Sequence, residues 1–239
     1  MNSQFNLKLQ ANRITAPAVV LFFSLVSSSH AVDLDSRTLR YSVVYSGHDA
    51  GELEVIIERT DNVIKTTAIS HLSGFAQIFL SGQTVQTWFR IEGDNVLLDK
   101  GHILDHKSEN ITNSFTIDRD KRIIDYHTRE DEPIQEGDMF AATSFPIILM
   151  TSVATEIGGK TIRETNPKKS RYYVFHEPVS EPLELNGKDY KTWKITRNKR
   201  GQPDRTVTYW LNRSDQKVPL KIVSTKDGKS TVMTLLNPS

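Results

Sequence analysis

Beyond residue 31, apolar and polar residues alternate along most of the chain with a period of two, the pattern of strands that set one face on a core and the other in water. Tyr41, Val43 and Tyr45 share one side, and Ser42, Val44 and Ser46 the other. After a turn over Gly47 to Gly51, Leu53, Val55 and Ile57 alternate with Glu52, Glu54, Ile56 and Glu58. Asp61-Asn62 then marks a tight hairpin before Ile64, Thr66, Ala68 and Ser70. Further strands are predicted at 84–91, 95–105, 113–118 and 123–128, and, later, at 170–176, 188–197, 205–212, 219–225 and 230–236. The turns Asn198 to Pro203 and Asp227-Gly228-Lys229 close hairpins in the second half.

The alternation breaks over Phe140 to Ile157. Ser144 can cap a helix, Pro146 suits its first turn, and Gly158-Gly159 supplies a left-handed stop. Ile147, Ile148, Leu149, Met150, Val153, Ala154 and Ile157 leave that helix almost no polar face, so burial is expected. Its length, on the order of 20 Å at ~1.5 Å per residue, is too short for a bilayer and suits the inside of a curved sheet. The expected fold class is mainly β, an antiparallel, open or closed, barrel-like sheet wrapped around one buried helix. Mobility is expected in the acidic stretch Arg129 to Glu136 and in the loop from Glu177 through Pro178 to Pro182.

The N-terminus changes the compartment in which this fold is read. Lys8 and Arg13 without any acid, an apolar run from Ala16 to Val26, and the small pair Ser29 and Ala31 follow the order of a cleavable secretory signal. The run is roughly half of the ~20 residues needed to cross a bilayer. Cleavage after Ala31 would leave residues 32–239 as one β-rich periplasmic domain with no transmembrane anchor, 208 residues carrying 28 basic and 29 acidic groups. Such near-neutrality argues against nucleic acid as a partner. The absence of cysteine rules out lipidation at a processed N-terminal cysteine, disulfides and thiolate metal sites, and an exported chain without disulfides points to a bacterial origin. The charge is nonetheless uneven, with 11 basic and 21 acidic residues in 32–159 against 17 and 8 in 160–239. The two halves can neutralise each other within one fold, or one can face a partner.

Chemistry is sparse. No Gly-x-Ser-x-Gly elbow occurs, and Ser70 and His71, adjacent on a strand, point to opposite faces. His102 and His106 have the four-residue spacing of a helical metal pair, but on a strand that spacing separates them by roughly 13 Å. No catalytic residue, metal site or cofactor is assigned. Glu130, Asp131, Glu132, Glu136 and Asp138 could supply paired carboxylates for a hydrolase if two of them converged in a cleft. The aromatics Phe75, Phe79, Trp88, Phe140, Phe145 and Trp210, with Leu149 and Met150 of the expected helix, fill a core or line an apolar ligand pocket.

The strand Tyr41-Ser-Val-Val-Tyr45 entering a turn that ends at Gly51, the mid-chain apolar segment, and Tyr209-Trp210-Leu211 followed by Asp215 and Pro219-Leu220-Lys221-Ile222 together resemble a family of bacterial exported proteins, domain of unknown function 3108. The resemblance spans most of residues 38 to 236 and implies a periplasmic, barrel-like β domain with no established activity and no set of functional residues to carry over. More distantly, curved sheets around a helix resemble the periplasmic lipoprotein carriers, which hold acyl chains in an open barrel. The leading expectation is therefore a non-enzymatic periplasmic protein binding a lipid or other hydrophobic small molecule. The alternatives are an interaction module that engages another envelope protein, and a carboxylate-dependent hydrolase.

Overall fold

The computed structural model of the chain describes residues 34–73, 83–105, 110–152, 154–215 and 217–238. The expected export signal, Phe75, Phe79 and His106 lie outside them.

Long alternating segments become long strands: β1 (Arg37–Tyr45), β2 (His48–Thr60), β3 (Val63–Leu72), β4 (Gln83–Glu92), β5 (Asn95–Asp105), β6 (Ile111–Asp118) and β7 (Ile123–Tyr126). The short strands β8 (Glu132–Pro133) and β9 (Phe140–Ala142) precede β10 (Thr161–Asn166), β11 (Lys169–Phe175) and β12 (Val179–Leu185). The last four are β13 (Lys188–Lys199), β14 (Gln202–Asn212), β15 (Pro219–Lys226) and β16 (Lys229–Leu235). They form one sheet in the spatial order β8-β7-β6-β5-β4-β3-β2-β1-β16-β15-β14-β13-β11-β10-β9, with β12 also paired to β13. Neighbouring strands run antiparallel except β9 and β10, where Phe140 lies beside Arg163 in a parallel register. The first and last strands of the sequence meet in the middle of the sheet, with Tyr41 opposite Leu235. The two ends of the continuous strand order, β8 and β9, come from the middle of the chain, and β12 is a further edge.

The alternation directs apolar side chains into two clusters. Tyr41, Val55, Ile57, Ile64, Phe89, Leu98, Phe115 and Ile124 build one with Phe145, Ile147 and Met150, while Ile162, Phe175, Ile195, Tyr209, Leu211 and Ile222 build the other with Leu149 and Ile157. Tyr41 is fully buried, and its hydroxyl donates to the Pro219 carbonyl oxygen at 2.9 Å, so the one polar atom of a core side chain is satisfied. Gly51 lets β2 pass close to β3: its φ is +110°, and a Cβ there would sit 2.0 Å from the His71 carbonyl oxygen.

Two expectations need correction. The helix expected after a cap at Ser144 and running to Ile157 is instead two short pieces, α1 (Ile147–Thr151) and α2 (Ala154–Ile157), and the start of the same apolar stretch is strand β9. Ser144 caps nothing, because its hydroxyl bonds that of Thr87 at 3.1 Å, and Pro146 precedes the helix with φ −82° and ψ 53°. Thr151 bonds back to the Ile147 carbonyl oxygen and Ser152 is extended, as suits a Thr-Ser-Val run of weak helix formers. The left-handed stop at Gly159 is present, with φ +71°. The second correction concerns the loop expected around Pro182, which is strand β12. It pairs with β13 alone, placing Pro182 opposite Lys191. An edge strand tolerates the amide that proline lacks.

Candidate functional site

The backbone ladder does not close between β8 and β9, but side chains bridge the gap. Arg163 on β10 is 5% exposed and donates from Nη2 to Glu132 Oε2 of β8 at 2.5 Å, from Nη1 to the Pro133 carbonyl oxygen at 2.7 Å and to Asp138 Oδ2 at 3.0 Å, and from Nε to Ser170 Oγ at 3.0 Å. Ser170 also bonds Glu132, and Arg129 reaches Glu132 Oε1 at 2.6 Å and the Lys168 carbonyl oxygen at 3.2 Å. Burial works to raise the Glu132 carboxyl, yet the Ser170 and Arg163 hydrogen bonds and the charges of Arg129 and Arg163 outweigh it and hold it below the usual carboxylate range. This network explains why β10 was not legible as a strand: its buried face includes an arginine where the alternation calls for an apolar residue.

Beside this seam lies a cleft of about 950 Å³ lined by 94–98, by Arg119 and Arg122, by 134–140, and by Ile148, Thr151, Ser152 and Glu156 of the helical segment. Its apolar side chains include Val96, Leu98, Ile134, Phe140 and Ile148, and its charged ones Asp94, Arg119, Arg122, Glu136, Asp138 and Glu156. Arg119 is anchored by a bond to the Leu98 carbonyl oxygen at 2.6 Å and lies 3.6 Å from Asp99. An apolar wall with cationic groups among its lining can take an amphipathic molecule, and the volume falls at the upper end of the range for small-molecule pockets, roughly 300–1,000 Å³.

Of the residues singled out from the sequence, Phe140 lines the cleft. Phe145, Leu149 and Met150 are buried in the two clusters, 1–3% exposed, and Phe145 packs its ring 6.2 Å from that of Tyr41. Trp88 packs its ring against that of His102 at 4.9 Å in a tilted arrangement, under Lys100. Trp210 donates from Nε1 to Glu181 at 2.9 Å between Lys194 and Lys221. Neither tryptophan reaches the cleft. His102 bonds Gln86 at 2.7 Å, and among the described residues no three potential metal ligands gather. Glu132 and Asp138 do converge, but on the single guanidinium of Arg163, where both serve as ion-pair partners. The sequence reading missed Val96, Ile134, Ile148 and Arg119, which are brought together only by the approach of β9 to β5. Part of the opposite charge of the two halves meets within the fold, in the pairs of Arg163 with Glu132 and Asp138.

A family model described as a protein of unknown function, DUF3108, matches residues 40–235. No curated protein matches the sequence. Among solved structures, the chain is similar to a β-barrel-like protein of the domain of unknown function DUF1849 from Brucella abortus, with a TM-score of 0.53 and 10% identity over 85% of this chain and 97% of that one. At that identity the likeness concerns the fold alone.

Proposed function

The chain belongs to the DUF3108 family of proteins of unknown function, and we propose that it is a non-enzymatic periplasmic protein holding an amphipathic ligand, such as a lipid or an acyl chain, at the seam of its sheet. The observation that carries this reading is the cleft of about 950 Å³, whose wall of Val96, Leu98, Ile134, Phe140 and Ile148 suits an apolar chain. Arg119 and Arg122, the two basic residues of a lining that also holds Asp94, Glu136, Asp138 and Glu156, are the groups through which the cleft would hold an anionic head group. The sheet curls so that β9 approaches β5, and the helix α1 lends Ile148 and Thr151 to the cleft and Ile147, Leu149 and Met150 to the core. The pattern of an export signal in residues 1–31 supports the periplasmic part of this reading.

Native mass spectrometry of protein isolated from the periplasm should show a co-purifying lipid and a mature chain beginning at Val32. Phe140→Glu and Ile148→Glu should each abolish uptake of a fluorescent fatty acid. A homogeneous ligand-free mass, with no uptake by the native protein, refutes ligand binding; an unprocessed N-terminus refutes the export signal.

A further inference from the structure

The rows of side chains that face the second cluster change character toward one end of the sheet. On β13, Ile195 is followed two residues later by Arg197; on β14, Tyr209 is preceded by Val207 and Arg205; on β15, Ile222 leads to Ser224 and Lys226. On β11, Phe175 is preceded by Tyr173, Arg171 and Lys169. Side chains two residues apart share a face, so the core-facing surface passes from apolar to basic. It ends in a concavity of about 410 Å³ whose lining includes Lys169, Arg171, Arg197, Arg205 and Lys226, with Glu164 as its one carboxylate.

These charges are poorly compensated. Arg205 and Lys226 share the exposed Asp227 at 3.5 and 3.9 Å, while among the described residues Lys169 and Arg171 have no carboxylate within ion-pair distance. Burial, reinforced by repulsion from Arg171, Lys226, Lys168 and Arg205, holds the Lys169 ammonium below its ordinary value. The Arg197 side chain is 5% exposed and its plane lies 4.0 Å from the Tyr173 ring. Its Nε donates to the Tyr209 hydroxyl oxygen at 3.1 Å and lies 2.5 Å from Glu164 Oε1 as an ion pair, while Arg197 Nη1 and Glu164 Oε2 find no hydrogen-bond partner among the described residues. A buried donor without a protein partner is uncommon and is met by water or by an ion. Guanidinium forks and ammonium groups gathered in a concavity suit a multiply charged oxyanion, whose oxygens accept several charge-assisted hydrogen bonds at once.

We propose that this concavity binds a phosphate-type oxyanion, with Arg171 as the donor and Lys169, Arg205, Lys226 and the buried Arg197 supplying charge. The site goes beyond the cleft at the seam and does not rest on it. The same chemistry is offered by a soluble phosphate compound and by an anionic lipid head group, so the test has two arms. Isothermal titration of the purified protein with pyrophosphate reads the first, and co-sedimentation with phosphatidylglycerol against phosphatidylcholine vesicles reads the second.

Binding in either arm should weaken roughly tenfold or more in Lys169→Gln/Arg171→Gln, strengthen in Glu164→Gln, and be unchanged in Lys188→Gln/Lys191→Gln, whose exposed lysines lie outside the concavity. Binding of pyrophosphate alone identifies a soluble anion, and of phosphatidylglycerol vesicles alone a head group; both support the site. No binding in either arm, or an equal loss from the control pair, overturns it.

Discussion

Replacing Arg163 with methionine tests whether side chains hold the two edges of the sheet together. The substitution keeps much of the aliphatic stem and removes four donated hydrogen bonds, leaving Asp138, 7% exposed, without its cation. Glu132 is better protected, because Arg129 and Ser170 remain. Removing one partner of a buried ion pair costs about 3–5 kcal/mol, and the protection of Glu132 places the expected loss at about 3–4 kcal/mol. For a domain of this size that corresponds to a fall in Tm of roughly 6–16 °C. Arg129, whose side chain is 37% exposed, should cost no more than ~1 kcal/mol in Arg129→Met.

Urea denaturation followed by tryptophan fluorescence measures both variants. A second readout comes from pH. Glu132 titrates below its ordinary 4.5 in the folded protein, so its stabilisation is present above about pH 4.5 and is lost as pH falls through the folded value. The deficit of Arg163→Met should therefore narrow in acid. If Arg163→Met unfolds at the wild-type urea midpoint, or if its deficit is independent of pH, the edges are not held by this arginine.

Two further outcomes follow from single positions. Gly51→Ala should cost more than ~4 kcal/mol, because a Cβ would lie 2.0 Å from the His71 carbonyl oxygen, whereas Gly47→Ala, with φ +84° and nothing within 4 Å, should cost only ~1 kcal/mol; equal urea midpoints for the two would show that β2 and β3 are not so close there. Burial, opposed by Arg197, pushes the Glu164 carboxyl up to about 7, so its contribution to stability is complete below its ordinary 4.5 and declines as pH rises to about 7. Glu164→Gln should accordingly gain on the wild type over that window by up to an amount on the order of 3 kcal/mol, and a constant difference from pH 4 to 8 would refute it.

Strands were legible where one face is uniformly apolar. Asn95–Asp105 has the bounds expected from its alternation, and β13 begins at Lys188 and β15 at Pro219 as expected. They failed to show where polar groups are buried or proline interrupts: β10 hides Arg163 and Glu164, and β12 contains Pro182. The apolar stretch around Ile147 was over-read as one long helix, because a run of apolar residues signals burial without selecting helix or strand. Of the cleft, only Phe140 was singled out beforehand, since Val96, Arg119, Ile134 and Ile148 have no local signal that brings them together. The basic concavity was half visible. The excess of basic residues beyond Lys160 was plain in the sequence, but only the register of β11, β13, β14 and β15 gathers part of that excess on one face.

The pairing of β1 with β16 makes the fold a ring of strands interrupted at a point remote from the ends of the chain. The interruption falls between β8 and β9, which are joined by residues 134–139. A circular permutant that links the two terminal strands and starts within this connection would keep every backbone ladder and turn the interruption into its new termini. The native order does the reverse: it sets the first and last described strands in the middle of the sheet and leaves the interruption at the connection beside the cleft.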